Sequence, residues 1–126
     1  MDKKTKLTLD ELIRRKEQIL ANKKRDETAE VFVKSIGGSV IVKSPDSKLL
    51  SDVEEMDDKL AANAYIVYNC VISPRLKDRQ LQEVYGCREP IEIVDKLFLP
   101  GEVARLADAI VKLAGFDEER VQTIKN

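Results

Sequence analysis

Two runs of β-branched residues around a pair of glycines constrain the fold of this chain more than any other feature. Residues 29–36 (AEVFVKSI) and 39–43 (SVIVK) both have the composition of strands, and Gly37 and Gly38 lie between them. Runs of this kind separated by a two-residue glycine turn are typical of a β-hairpin. We therefore predict a hairpin over residues 29–43.

The predicted turn assigns each side chain of the hairpin to a face. If Gly37 and Gly38 form the turn, Val33 lies opposite Val42 and Ser35 lies opposite Val40. One face then carries Val31, Val33, Val40 and Val42, and the other carries Phe32, Lys34, Ile41 and Lys43.

An isolated two-stranded ribbon is at best marginally stable, so we expect the valine face to pack on helices of the same chain. We interpret Phe32, Lys34, Ile41 and Lys43 as candidate partner-binding residues, beside strand-edge amides that are free to pair with another chain. The alternative is that a second helix of this chain covers that face.

The segment before the hairpin has the pattern of a basic helix. Thr8 and Glu11 have the spacing of a capping box, which predicts a helix over residues 8–23, and Leu7 and Leu12 are placed as a hydrophobic staple. Its apolar stripe is Leu9, Leu12, Ile13, Lys16 and Leu20. Residues 1–25 carry nine Lys or Arg against four Asp or Glu, without interleaved aromatic residues. We expect a solvated helix face here, and not a nucleic-acid site.

The middle of the chain is predicted to be helical. Ser44-Pro45 has the pattern of a helix start, followed by an acidic helix over residues 46–57. Residues 60–72 are apolar on nearly every side; Tyr65 to Ile72 has strand propensity, but the preceding alanines favour a buried helix that ends at Pro74.

Four further helices are expected after Pro74. They cover residues 77–85 ended by Gly86, a stretch opened by Pro90, an amphipathic helix from Pro100 to Gly115, and a terminal helix to Thr123. The stripe after Pro100 is Val103, Leu106, Ala107, Ile110, Leu113 and Ala114. The predicted fold class is α+β: a mainly α-helical single domain of 126 residues with an N-terminal β-hairpin (29–43) and a helical region (46–123).

Composition excludes several classes of function. The chain has no histidine, which removes the commonest general base and every histidine metal ligand. Cys70 and Cys87 are too few for a disulfide framework and are not spaced as a zinc site, so we expect buried free thiols. The acidic run around Asp57 and Asp58 is expected to be a solvated helix face. We predict no enzymatic activity, no cofactor and no metal, and, with no long apolar run, a cytoplasmic protein that does not bind membranes.

Several short strings become specific when their order and spacing are taken together. They are residues 7–12 (LTLDEL), 63–68 (NAYIVY), 81–87 (LQEVYGC), 89–90 (EP), 93–102 (IVDKLFLPGE) and 113–116 (LAGF). In these, nearly the whole chain resembles the tail assembly chaperones of long-tailed phages and defective prophages of Gram-positive bacteria. The resemblance implies a non-enzymatic protein of the bacterial host cytoplasm that keeps the tape measure protein soluble while tail tube subunits are recruited. A homo-oligomer is a separate expectation, which comes from the hairpin, whose strand edges are free to pair with a second copy.

The resemblance also implies that a frameshift-extended form exists in related phages. Codons for Ile124-Lys125-Asn126 that create a slippery run would permit such a form here. Three other functions remain open on the residues alone. One is an enzyme that uses Asp57, Asp58 and other carboxylates around a divalent metal. A structural or oligomerising virion component would be found in mature virions, and a nucleic-acid-binding regulator using residues 1–25 would lose affinity steeply with salt.

Overall fold

Helices and a small antiparallel sheet make up the chain. The computed structural model describes residues 6–25, 27–116 and 120–124. Its helices are α1 (Leu9–Arg14), α2 (Lys16–Arg25), α3 (Ser47–Glu54), α4 (Lys59–Cys70), α5 (Arg79–Val84), α6 (Glu92–Leu97) and α7 (Pro100–Val111); its strands are β1 (Thr28–Val33), β2 (Gly38–Lys43) and β3 (Val71–Ser73). This mainly helical composition with a small sheet agrees with the predicted α+β class.

The basic helix begins as its sequence predicts. Thr8 Oγ1 accepts a hydrogen bond from Glu11 N at 3.1 Å, and Glu11 Oε1 accepts one from Thr8 N at 3.2 Å, which forms the expected capping box. The single helix predicted for residues 8–23 is instead two, α1 and α2, with a break at Arg15. The hairpin therefore follows two helices.

The hairpin forms, but in a different register from the predicted one. Val33 lies opposite Gly38, and Val31 lies opposite Val40. The prediction of a two-residue turn was wrong, because a short 3-10 helix, Lys34–Ile36, precedes Gly37 and lengthens the connection. The register differs by four residues, an even number, so each strand side chain keeps its predicted face. Val33, Val40 and Val42 are accordingly buried.

The end of the central apolar segment forms a third strand. Tyr65 to Cys70 lies in α4, as expected, but the helix ends at Cys70 rather than continuing to Pro74. Val71–Ser73 then pairs with β2 in antiparallel orientation, with an irregularity beside Ile41 and Val42, and the sheet order is β1-β2-β3. The prediction of a buried helix that ends at Pro74 was therefore wrong for residues 71–73.

The helix before α4 starts at a different residue from the predicted one. Asp46, and not Ser44, is the N-cap of α3, and its Oδ1 accepts a hydrogen bond from Leu49 N at 2.8 Å. Asp58 caps α4 in the same way, through Leu60 N and Ala61 N. The acidic segment from Asp46 to Asp58 therefore has an N-cap carboxylate at each end, which accepts hydrogen bonds from backbone amides that have no partner within the helix.

A hydrophobic core joins the inner face of the sheet to the helices. Helix α4 packs against α3, α6 and α7. The buried apolar residues of this core are Val33, Val40, Val42, Leu49, Ile66, Val67, Cys70, Val71, Leu76, Ile93, Val94, Phe98, Val103, Leu106, Ala107 and Ile110. The predicted stripe after Pro100 is buried from Val103 to Ile110, whereas Leu113 is half-buried and Ala114 is exposed.

The C-terminal part departs from the predicted helix. After α7, residues 112–116 form a π-helical turn in which Gly115 has a left-handed φ of 100°. Residues 120–124 are not helical, so the predicted helix to Thr123 was wrong there, and its start at residues 117–119 lies outside the described residues. Lys125 and Asn126, on which the frameshift hypothesis rests, also lie outside them. Across the described ranges, no helix has both the length and the apolar character needed to cross a membrane.

Candidate functional site

The outward side of β1 and β2 carries three of the four predicted partner-binding residues. Phe32 is 65% exposed and Ile41 is 39% exposed, and Lys43 is exposed on the same side. Phe32 pairs with Ser39 and Ile41 pairs with Glu30, so the two apolar side chains are diagonal neighbours on one surface. We call Phe32, Ile41 and Lys43 the outer sheet face.

Alternation along the two strands explains why these residues face outward. In β2, exposed and buried residues alternate from Ser39 to Lys43, with Val40 and Val42 fully buried. The buried valines hold the strand on the helices, and that arrangement turns Ile41 and Lys43 away from the core. Phe32 follows the same rule in β1. Its exposure means that no helix among the described residues covers this face.

Lys34 does not belong to the outer sheet face. It begins the 3-10 helix after β1, because the connection is longer than the predicted two-residue turn. This turn is tied to the start of α7: Ser35 N donates to Glu102 Oε2 at 3.1 Å, and Ser35 Oγ donates to Glu102 Oε1 at 2.6 Å. Glu102 also accepts a hydrogen bond from Leu99 N at 2.9 Å. The hydrogen bond from the Ser35 hydroxyl is the main reason that the pKa of Glu102 is lowered.

The third strand extends the exposed surface next to Ile41. Ser73 lies opposite Ile41, and the preceding Ile72 is exposed at the irregularity between β2 and β3. Sequence reasoning placed Ile72 in a buried helix and missed it. Its partner strand is thirty residues away in the chain, so no local pattern indicates the pairing. In β1, the edge away from β2 is not paired with any described strand.

A cleft of about 530 Å³ lies beside this surface, between the end of β2 and helices α3 and α4. Its lining includes Lys43, Ile72, Tyr65, Lys77 and Cys70. Burial raises the pKa of the Cys70 thiol to about 11, so it is protonated at neutral pH and is a poor nucleophile. Cys70 is buried and free as predicted, whereas Cys87, also free, is only half-buried.

The described residues contain no cluster of side chains suited to binding a metal ion. The sequence contains no histidine, and the described residues include no group of three acidic or cysteine side chains that could hold a metal ion. Asp58, which belongs to the acidic run, is engaged as a helix cap. The acidic side chains Glu54, Glu55 and Asp57 are exposed, as expected for a solvated face.

A second exposed apolar surface lies on the two N-terminal helices. Neither α1 nor α2 contains a buried residue. Leu9 is 75% exposed and Ile13 is 67% exposed, and Leu12 and Leu20 are exposed on the same predicted stripe. A helical stripe in a sequence looks the same whether it packs inside its own chain or remains open, so its exposure could not be predicted.

A protein-family model matches most of the chain. The family described as phage XkdN-like tail assembly chaperone matches residues 9–126. Searches of curated proteins and of solved structures give no significant match. The family match covers α1, the sheet, the core helices and the C-terminal segment, in agreement with the resemblance of the six sequence strings. The chain therefore belongs to the XkdN-like family of phage tail assembly chaperones.

Proposed function

We propose that this tail assembly chaperone binds the tape measure protein of its phage in the host cytoplasm, keeps that protein soluble and helps to recruit tail tube subunits around it. Membership of the family supports the assembly role. The observation that carries the binding step is the outer sheet face, where a large aromatic side chain remains 65% exposed on a rigid strand. Exposed apolar groups on a rigid element are typical of partner-binding surfaces.

The chemistry of the outer sheet face suits an amphipathic helix. Phe32 and Ile41 offer a diagonal apolar pair, and Glu30 and Lys43 lie on the same side of the sheet. A helix with an apolar stripe would bury that stripe against the pair and place its flanking charges near these two residues. A tape measure protein is long and helical, so it offers many such stripes.

Co-expression with the tape measure protein of the same phage tests this proposal. The tagged chaperone should hold the tape measure protein in the soluble fraction and retain it in a pull-down. Phe32→Lys together with Ile41→Lys should abolish both effects, because two charges would enter the apolar contact. The matched control is Val84→Lys, which places lysine at a 74% exposed apolar residue at the end of α5.

The test needs a folding control for the double variant. Far-ultraviolet circular dichroism and thermal unfolding should show that the double variant folds. If the folded double variant still retains the tape measure protein, the outer sheet face is not the binding surface. If the wild-type chain neither solubilises nor retains it, the proposed function is wrong. Recovery of the chain from mature virions would instead favour a structural virion component.

A further inference from the structure

The two N-terminal helices form an arm whose surface is both basic and apolar. Residues 6–25 carry seven Lys or Arg against three Asp or Glu. The same helices expose Leu9, Leu12, Ile13 and Leu20. From Leu9 to Arg25 the arm is at most about 25 Å long, since a helix rises about 1.5 Å per residue and α1 and α2 are separated by a break at Arg15. A surface of this size and character, uncovered along its length, is suited to binding an acidic surface with apolar groups.

The body of the same chain offers a surface of the opposite character. Glu54, Glu55, Asp57 and Asp58 are exposed at the end of α3 and the start of α4. Leu60, in the first turn of α4, is 67% exposed directly beside them. We call these five residues the acidic patch. Residues 46–58 carry six acidic side chains against one lysine, so the patch complements the arm in both charge and apolar content.

The arm does not cover the acidic patch of its own chain. Leu9 and Ile13 on the arm and Leu60 on the patch are uncovered together in one molecule. Only residues 26 and 27 separate α2 from β1, and Glu27 is held on both sides, by Glu27 N donating to Lys24 O and Ser44 N donating to Glu27 O. The end of α2 lies near the start of α3, where Lys23 and Ser47 line one cleft, whereas the acidic patch begins at the other end of α3.

We infer that the arm docks on the acidic patch of a second copy of this chain. The contact buries the exposed leucines and isoleucine of one copy near Leu60 of the other, and it places Lys16, Lys23 and Lys24 close to the carboxylates. Such an arm-to-body contact joins two different surfaces, so it either is exchanged reciprocally in a dimer or continues to further copies. This inference goes beyond the proposed function, because it does not involve the tape measure protein.

Sedimentation of the full chain over a range of concentrations and salt provides the first measurement. At low ionic strength the mean mass should rise with concentration, and it should fall toward the monomer as salt screens the charge pairs. Leu9→Ser with Ile13→Ser should weaken association at least ten-fold, whereas Val84→Ser, at an equally exposed position off the arm, should leave it unchanged. A chain that stays monomeric at every concentration at low salt overturns the inference.

A charge-swap experiment then identifies the two surfaces. One variant carries Lys16→Glu, Lys23→Glu and Lys24→Glu in the arm; the other carries Glu54→Lys, Glu55→Lys and Asp57→Lys in the body. Asp58 is left intact because it caps α4. Each variant alone should be monomeric, and an equimolar mixture should associate at least ten-fold more tightly than either, since complementary surfaces meet only in the mixture.

The equimolar mixture distinguishes the arm-to-patch contact from association through another surface of the chain. Restored association cannot arise from two misfolded variants, so it supports the arm-to-patch contact directly. If the mixture stays monomeric while the wild-type chain associates, a different surface joins the copies and the inference is wrong. If the wild-type chain stays monomeric and the arm binds a duplex DNA oligonucleotide instead, its partner is nucleic acid and the inference is equally wrong.

Discussion

At the scale of single residues, Glu102 connects two elements that are far apart in the sequence. Its carboxylate accepts hydrogen bonds from Ser35 in the hairpin turn and from the backbone of Leu99 at the start of α7. The pKa of Glu102 is lowered from its usual 4.5, chiefly by the Ser35 hydroxyl. The turn is therefore held most firmly when Glu102 is ionised.

This pKa shift predicts a pH dependence of stability. Because the pKa is lower in the folded state, the unfolded chain binds more protons as the pH falls below about 5, and the stabilisation by Glu102 is lost as the pH approaches the lowered pKa. Above the usual pKa the stabilisation is fully present. Glu102→Gln should flatten this part of the curve of unfolding free energy against pH, measured by urea titration. An unchanged slope, equal to that of the exposed control Glu55→Gln, would contradict the assignment.

Leu106 tests the burial of the α7 stripe. It is 3% exposed in the core, whereas its neighbour Arg105 is exposed. Leu106→Asp places a carboxylate in an apolar site without a partner and should cost several kcal/mol, roughly, of unfolding free energy. Arg105→Asp should cost only about 1 kcal/mol, from lower helix propensity and from repulsion by Glu102 and Asp108. Equal melting temperatures for the two variants would show that the stripe is misassigned.

At the scale of elements, the connection between β1 and β2 distinguishes the observed register from the predicted one. Gly37 has a left-handed φ of 63°, whereas Gly38 does not have a positive φ and begins β2. A two-residue turn of type I′ would need positive φ at both glycines. Beyond the chain neighbours, no heavy atom lies within 4 Å of a Cβ added at either glycine, so the two positions differ only in the backbone strain that an added side chain would cause.

Alanine at each glycine therefore gives a matched pair. Gly37→Ala should cost about 1 kcal/mol, because L-residues avoid the left-handed region. Gly38→Ala should be neutral or slightly stabilising, since it restricts the unfolded chain without strain. Chemical denaturation of the two variants checks this. Similar losses at both positions would favour the two-residue turn over the longer connection.

Elements were predictable from the sequence where local chemistry specifies them. The Thr8–Glu11 capping box and the inward valines depend on residues close in the chain or on strict alternation, and both are confirmed. The register could not be predicted, because alternation defines faces and leaves the loop length open. The cap of α3 was placed at Ser44, since serine and aspartate both suit that role and only Asp46 has the required geometry.

The third strand shows the limit of local reasoning most clearly. Residues 65–72 have both strand propensity and helical neighbours, and the structure divides them between α4 and β3 at Cys70 and Val71. Pairing with β2, about thirty residues earlier in the chain, decides this division. Sequence patterns do not carry that distant contact. As a result, the exposure of Ile72 beside the outer sheet face was not predicted, whereas the outward orientation of Phe32 and Ile41 was.

At the scale of the whole molecule, the chain separates into a cored body and an exposed arm. The core draws its buried residues mainly from the sheet and from α3, α4, α6 and α7, and none comes from α1 or α2. The family could be recognised from ordered sequence strings. The open arm could not be predicted, because an amphipathic stripe does not reveal whether its partner lies in the same chain.

Cys70 offers a measurement of how cooperatively this body opens. Its thiol is fully buried between α4 and β3, and burial raises its pKa to about 11, so both access and ionisation protect it in the folded state. Cys87 is half-buried, so Cys87→Ser leaves Cys70 as the only thiol. In that background, thiol reagents should label Cys70 only through opening of the core.

Labelling of Cys70 should then follow global stability. Leu106→Ala should cost about 2–5 kcal/mol, and every 1.4 kcal/mol raises the open population about ten-fold, so the labelling rate should rise by at least ten-fold. Arg105→Ala, on the exposed side of the same helix, should change the rate by about two-fold or less. Cys70 also lines the cleft beside β2, so a thiol reagent could instead reach it when the walls of that cleft move apart locally. If Leu106→Ala leaves the labelling rate of Cys70 unchanged, the cleft opens independently of the α4–α7 packing. The body is then not one cooperative unit.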